Sequence, residues 1–337
     1  MKPNLVVLFS ALVFTNATFS ANALSSMQDV SVKPDVIAHR GASGYLPEHT
    51  LESLILAYSQ GANYIEQDLV LSKDGIAVVL HDIHLETVTD VEQKYPERMR
   101  DDKRYYAYDF TLKELKTLRV HERQDAEGKQ VFANRYQGQS DFKIATFEEQ
   151  ILLIEQLNRQ FSKNVGLYPE IKSPAWHLAQ GIDISEIVLT ILRKYELDDS
   201  SKPVYVQCFD FSEIKRLRQK LGAKVKLVQL IADPSWEESS TDYNYILSPA
   251  GLNDVAKYAD GIGPWIPQLL NMQTMQPTHV METAKRAGLL VHPYTFRKDE
   301  LPPNISANQS LDILFKVLKV DGIFTDFTDV VVDYLDQ

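Results

Sequence analysis

The chain has 337 residues, 44% of them hydrophobic and 24% charged, a balance that excludes a disordered, collagen-like or purely coiled-coil protein and requires a packed core. With 35 Lys and Arg against 46 Asp and Glu the formal charge is −11; an acidic surface repels phosphate backbones and anionic lipid, so nucleic acid is excluded as a main partner, and any anionic ligand needs a local positive site. The single cysteine, Cys208, excludes an intrachain disulfide and the multi-cysteine zinc sites.

The first predicted element is a leader. Lys2 precedes an apolar run over 5–14 and the small-residue tripeptide Ala21-Asn22-Ala23, the pattern of a secretory signal with cleavage expected after Ala23. The run is shorter than the about 20 apolar residues of a membrane span. No cysteine stands near the cleavage site to carry a lipid anchor. The expectation is an exported protein over 24–337 without stable membrane insertion.

Apolar, β-branched runs bounded by turn residues then predict strands over 36–39, 64–71, 76–81, 165–171, 204–209, 225–231, 261–265, 289–295 and 322–325. Helical patterns fall over 51–60, 147–158, 184–195, 211–221, 252–258, 280–287, 311–318 and 330–335. Only Ser72-Lys73-Asp74-Gly75 separates the second strand from the third, too little for a parallel crossover, so the third is a hairpin return. The remaining eight strands, each with a helix after it, have the count of a closed (β/α)8 TIM barrel. A doubly wound sheet is the alternative, but no Gly-x-Gly-x-x-Gly follows the first strand to support its dinucleotide variant. Residues 83–143, dense in charge and tyrosine, break the rhythm and read as an insertion over the barrel mouth within a single domain. Without it and the leader the chain has about 250 residues, the usual size of such a barrel.

Catalytic groups of this architecture stand at the C-terminal ends of the strands, and here those ends are polar: His39-Arg40-Gly41, Glu66-Gln67-Asp68, His81-Asp82 and Glu170-Ile171-Lys172, with Gln207, Gln229, Trp265, His292, Tyr294 and Thr325-Asp326 further on. Glu66 and Asp68, two apart on a strand, share a face. Neighbouring carboxylates remain ionised together only beside a cation, so with Glu170 from the adjacent strand they form a candidate site for a hard, oxygen-liganded metal. Pairing Leu71 with Ile76 would place His81 opposite Glu66, and His39 ends the neighbouring strand, which gives two imidazoles for acid–base work. Arg40 and Lys172 supply positive charge for a phosphate, and Gly41 permits close approach of a ligand. Thr50 is a candidate helix N-cap, and Glu48 a brace for the loop carrying Arg40. His84, His121 and His177 read as structural.

Taken in order, His39-Arg40-Gly41, Pro47-Glu48-His49-Thr50, Glu66-Gln67-Asp68, Val79-Leu80-His81-Asp82, Pro169-Glu170-Ile171-Lys172 and Gly322-Ile323-Phe324-Thr325-Asp326 resemble the signature of the glycerophosphodiester phosphodiesterase family, and closely its bacterial periplasmic type. The resemblance implies hydrolysis of small glycerophosphodiesters, such as glycerophosphocholine and glycerophosphoethanolamine, to sn-glycerol 3-phosphate and an alcohol. It implies calcium or magnesium on Glu66, Asp68 and Glu170, His39 and His81 as the acid/base pair, and a periplasmic location. A homodimer is compatible with the sequence, which fixes no oligomeric state. Two other functions compete. A binding or adhesion protein on the same scaffold would be favoured by loss of a histidine, and both are present. A lyase-like relative acting on intact phospholipid head groups would be favoured by exposed aromatic loops at the mouth, whereas the charge of the insertion suits a soluble substrate better.

Overall fold

Strands covered on both faces are written as near-continuous apolar runs, broken only where a side chain enters a site. In a computed structural model, which describes residues 33–337 except 272, 273 and 275, these runs form β1 (Asp35–Ala38), β2 (Tyr64–Leu71), β3 (Ala77–Val79), β4 (Gly166–Ile171), β5 (Tyr205–Cys208), β6 (Lys226–Ile231), β7 (Gly261–Pro264), a short pair β8 (Leu270–Asn271) and β9 (Gln276–Pro277), β10 (Leu290–Val291) and β11 (Gly322–Thr325). The predicted leader and its cleavage site lie outside the described residues. Eight strands run in the order β10-β7-β6-β5-β4-β2-β1-β11, with β3 paired to β2. Between the ends of that order, Asp321 N–H donates to Val291 O, Phe324 N–H to Pro293 O and Phe296 N–H to Phe324 O. The ring so completed is the expected (β/α)8 barrel.

The helices are α1 (Leu51–Ser59), α2 (Val91–Lys94), α3 (Leu112–Leu115), α4 (Phe147–Phe161), α5 (Pro174–Ala179), α6 (Ile184–Lys194), α7 (Phe211–Gln219), α8 (Tyr243–Leu247), α9 (Pro249–Val255), α10 (His279–Arg286), α11 (Ala307–Asp312) and α12 (Thr328–Leu335). Thr50 caps α1 by accepting from Ser53 N–H, as expected. The helix expected over 252–258 begins earlier, because Ser248 caps α9 through Gly251 N–H and Pro249 occupies its first turn. Strand faces turned outward join the helices in one large core, while Ile37, Tyr168, Tyr205, Val228 and Phe324 fill the lumen beneath the site. None of the helices among the described residues is long and apolar enough to cross a membrane.

The hairpin corrects one expectation. Leu71 lies opposite Ala77 and Leu69 opposite Val79, one residue away from the Leu71–Ile76 pairing. Ser72 is the cause: its N–H donates to Ile76 O and its hydroxyl accepts from Ile76 N–H, both at 3.0 Å, and Gly75 takes the left-handed φ of +76°. Ser72 and Ile76 therefore pair, and the loop has three residues rather than four. His81 does not lie opposite Glu66. Leu80 N–H donates to Asp68 O at 2.9 Å, and His81 leaves the sheet just beyond it.

The stretch 83–143 contains α2, α3 and irregular turns around a second apolar cluster. Leu85, Val88, Tyr105, Phe110, Leu115 and Val120 pack there against Val70, Val78 and Leu80 of the hairpin. That burial fixes the insertion on the hairpin face that also carries Glu66 and Asp68, opposite the face whose Leu69, Leu71, Ala77 and Val79 join the large core.

Candidate active site

Parallel register sets the first row of the site. Asp68 lies opposite Glu170, and Glu170 opposite Gln207; Glu66 is on the same face as Asp68, two residues deeper. The carboxylates of Glu66, Asp68 and Glu170 are buried and offer ligand atoms all within 4.8 Å of one another. Gln207 Nε2 donates to Glu66 Oε1 at 2.8 Å, and Arg40 N–H donates to Glu66 Oε2 at 2.9 Å. His49 Nε2 lies 2.8 Å from Asp68 Oδ2, and Lys172 Nζ lies 2.8 Å from Glu170 Oε1. Asp68 Oδ1 is buried without a hydrogen-bond partner.

Burial, reinforced by the Asp68 charge, pushes Glu66 well above the carboxylate range, and burial pushes Glu170 up to about 8. At Asp68 burial acts the same way but is outweighed by His49, which holds this carboxyl well below its ordinary value. Such a cluster holds protons at neutral pH unless a cation replaces them. All-oxygen donors and a buried carboxylate oxygen lacking a donor fit a hard divalent ion.

His39 follows β1 and His81 follows β3, and both line one cavity with the three carboxylates. His39 Nδ1 lies 2.5 Å from Asp326 Oδ1, and His81 Nδ1 lies 2.8 Å from Asp82 Oδ1. Burial pulls the two imidazoles down to about 4 and about 3. Each is therefore neutral at pH 7, its proton on the Nδ1 that faces a carboxylate and its lone pair on Nε2. His39 Nε2 is 3.8 Å from Glu66 Oε2, which puts that lone pair at the edge of the carboxylate cluster.

Arg40 has a left-handed φ of +58° and lines the same cavity. Its Nη1 donates to Glu48 Oε2 at 3.0 Å, so Glu48 does brace this residue, and its Nε lies 3.6 Å from Asp68 Oδ2. Gly41 serves a different purpose from the one expected. A Cβ there would lie 2.6 Å from Ser53 Oγ and 2.9 Å from the Ser53 carbonyl carbon, so its bareness admits α1 rather than a ligand. Lys172 is buried against Glu170 and 5.5 Å from the Phe209 ring centre, in a side cavity that also touches Glu238.

The main cavity measures about 500 Å³ and has two ends. His39, Arg40, Glu66, Asp68, His81 and Glu170 line one, and Phe209, Trp236, Trp265 and Tyr294 stand in the other. Trp236 and Trp265 are edge-to-face at 5.1 Å between ring centres.

Several polar groups of the site escaped the sequence reading. Asp82 and Asp326 stand inside the quoted strand-end motifs without an assigned role, although a carboxylate next to an imidazole is a usable signal. His49 lies inside a quoted motif, but its left-handed φ of +63°, which turns the ring to Asp68, leaves no trace in composition. Arg123 and Arg135, whose guanidiniums reach Asp82 and Asp326 from the insertion, carry no local signal at all.

The family model of the glycerophosphoryl diester phosphodiesterases matches residues 39–330. A glycerophosphodiester phosphodiesterase of Haemophilus influenzae is 43% identical over 337 residues, covering 92% of this chain and 93% of that protein. One of Treponema pallidum is 36% identical, covering 89% of this chain and 91% of that protein. The solved structure of an Oleispira antarctica phosphodiesterase in complex with the product sn-glycerol-3-phosphate has a TM-score of 0.60 at 22% identity, covering 90% of this chain and 97% of that one, and shares the barrel fold. Because the family match takes in both histidines and all three carboxylates, and the relatives align along almost their whole length, the chain belongs to the glycerophosphodiester phosphodiesterase family.

Proposed function

We propose that this enzyme hydrolyses deacylated phospholipids such as glycerophosphocholine and glycerophosphoethanolamine to sn-glycerol 3-phosphate and the free alcohol, with Glu66, Asp68 and Glu170 holding calcium or magnesium. The observation that carries the reading is the pair of imidazoles, each tied through Nδ1 to its own carboxylate, in one cavity with the three-carboxylate cluster. The product seen in the Oleispira antarctica phosphodiesterase supports the same product here.

When bound, the metal offsets negative charge on the phosphoryl oxygens. Arg40, its guanidinium fixed by Glu48, supplies a positive charge for the phosphate, and Lys172 adds a second next to Glu170. One histidine takes the proton of the glycerol 2-hydroxyl at Nε2 while its oxygen bonds to phosphorus; the bond to the alcohol breaks, and the other histidine, which takes up a proton at Nε2 when the anionic phosphodiester binds beside it, gives that oxygen a proton. Asp326 and Asp82 stabilise whichever ring is imidazolium. Water then opens the cyclic glycerol phosphate with the two histidines in exchanged roles. The aromatic end of the cavity suits an alcohol bearing a trimethylammonium group, because ring faces attract cations.

The apolar run over 5–14 and Ala21-Asn22-Ala23 support export to the periplasm. The deciding experiment assays a panel of glycerophosphodiesters for glycerol 3-phosphate with and without chelator. Turnover by protein stripped of metal would overturn the metal assignment, and release of phosphocholine in place of glycerol 3-phosphate would overturn the bond assignment.

A further inference from the structure

Two arginines of the insertion reach the site without touching its cavity. Arg123 Nη1 donates to Asp82 Oδ2 at 2.8 Å, while its Nη2 and Nε donate to Glu48 at 2.6 and 3.0 Å. Arg135 Nη2 lies 2.8 Å from Asp326 Oδ2, and its Nε donates to Asp299 Oδ2 at 2.9 Å. The Arg135 side chain is 3% exposed and packs its guanidinium over the Phe132 ring, 3.6 Å from the ring centre. Asp82 and Asp326 thus have the same construction: one oxygen on a histidine Nδ1, the other on an arginine from outside the barrel. Arg297 adds a second donor to Asp326 at 2.7 Å. Gln124 and Gln130 bridge as an antiparallel turn, so the two arginines flank a single short hairpin.

We propose that Arg123 and Arg135 are positioning residues that lock both histidine–carboxylate pairs, so that docking of the insertion on the β2–β3 hairpin prepares both acid/base groups together. A carboxylate held only by an imidazole can turn about its last torsion and carry the ring with it. A second, charge-assisted contact to its other oxygen fixes its plane and therefore the direction of Nε2. The insertion can supply that contact because it is anchored elsewhere, through its own apolar cluster against Val70, Val78 and Leu80. Arg123 has a second task through Glu48, which holds Arg40.

The inference rests on the acid–base reading of His39 and His81, and double-mutant cycles separate the two. The variants are Arg123→Met, Arg135→Met, Asp82→Asn and Asp326→Asn, singly and in the pairs 123/82 and 135/326, with kcat, KM and melting temperature measured for each. Each arginine variant should lose about ten- to a hundredfold in kcat. For Arg135→Met the KM should stay near that of the parent, whereas Arg123→Met should also raise KM through Arg40. Each double variant should match its Asp→Asn single variant in kcat to within about twofold, since the arginine acts on the histidine through that carboxylate and the second task of Arg123 is read in KM. Arg123→Lys and Arg135→Lys keep one contact and should recover part of kcat, which keeps the test valid if a methionine variant does not fold. Arg216→Met, which breaks ion pairs from α7 to Glu213 and to Asp183 at the start of α6, should leave kcat unchanged. Multiplicative losses in the doubles, or an Arg135 variant with unaltered kcat, would overturn the proposal. Unaltered kcat in His39→Ala and His81→Ala would instead show that the acid–base reading had failed.

Discussion

Asp68 and Glu170 face each other across the β2–β4 ladder, yet their carboxyl groups are driven in opposite directions. His49, 2.8 Å from Asp68, holds it below the carboxylate range, whereas burial pushes Glu170 up to about 8 in spite of Lys172. At pH 7 the metal-free cluster therefore keeps a proton on Glu170, and burial with the Asp68 charge pushes Glu66 in the same direction. Binding of calcium should expel protons from the cluster. Calorimetric titration of chelator-stripped protein at pH 7, in buffers of different ionisation enthalpy, should report proton release, and Glu170→Gln should reduce it along with the affinity. Binding with no proton exchange would place the metal elsewhere.

The same pair makes His49 a supporting residue rather than a reacting one. It is buried, and its Nε2 orients Asp68. His49→Ala should weaken calcium binding by about ten- to a hundredfold, as removal of an outer partner of a metal ligand does. An unchanged titration curve would show that Asp68 is held without it.

The sequence made the row of acidic residues legible because strand period and strand-end position are local properties, and both survived folding at Glu66, Asp68 and Glu170. It misplaced His81 by one register step, because a hydrogen bond from Ile76 N–H to the Ser72 hydroxyl, not residue count, sets the hairpin turn. Arg123 was out of reach for another reason. Its contact with Glu48 spans 75 residues, and only the burial of the insertion against the hairpin brings the two together.

Acid should destabilise the fold through its buried histidines. His292, hydrogen-bonded to the Tyr168 hydroxyl at 2.9 Å inside the lumen, is pulled down to about 3 by burial from an ordinary value of 6.5. The unfolded chain takes up a proton below 6.5 that the folded chain refuses until about 3. The stabilisation is therefore complete above that upper value and is lost as the pH falls towards the lower one. His39 and His81 act in the same direction. Denaturant unfolding between pH 6 and 4 should show a slope that falls by about 1.4 kcal/mol per pH unit in His292→Gln. An unchanged slope would mean that His292 titrates normally.

Gly41 and Gly75 both have positive φ, at +82° and +76°, but only the first is crowded. Gly75→Ala would bring its Cβ no closer than 3.6 Å to Ile182 Cδ1, so it should cost about 1 kcal/mol for the backbone conformation and leave kcat intact. Gly41→Ala drives a Cβ into the Ser53 backbone at the start of α1 and must displace the loop that carries His39 and Arg40. It should lower kcat as well as melting temperature. Equal melting temperatures and equal kcat in the two variants would refute the distinction.

The route of bond cleavage follows from which nucleophiles the site offers. Ser310 lines the cavity and no cysteine does, but Ser310 makes no hydrogen bond to His39 or His81, whose Nδ1 atoms face Asp326 and Asp82. Cys208 is buried in β5 with its Sγ directed to Ile171 O, and burial raises its thiol well above the ordinary value, so it supplies no thiolate. Thr325 is buried and its hydroxyl accepts from Phe327 N–H, with no base attached. The attacking oxygen is then water or the substrate's own 2-hydroxyl. An intramolecular hydroxyl has the higher effective concentration; one neutral imidazole can take its proton, while the other gives one once the bound anion has charged it. A substrate lacking that hydroxyl, either 2-deoxy or acylated there, should bind with little change in affinity and fail to turn over. The parent substrate should release a cyclic glycerol phosphate that is trapped when its opening is slowed. Efficient hydrolysis of the 2-deoxy substrate would assign the attack to water and leave the pair of histidines serving a single displacement.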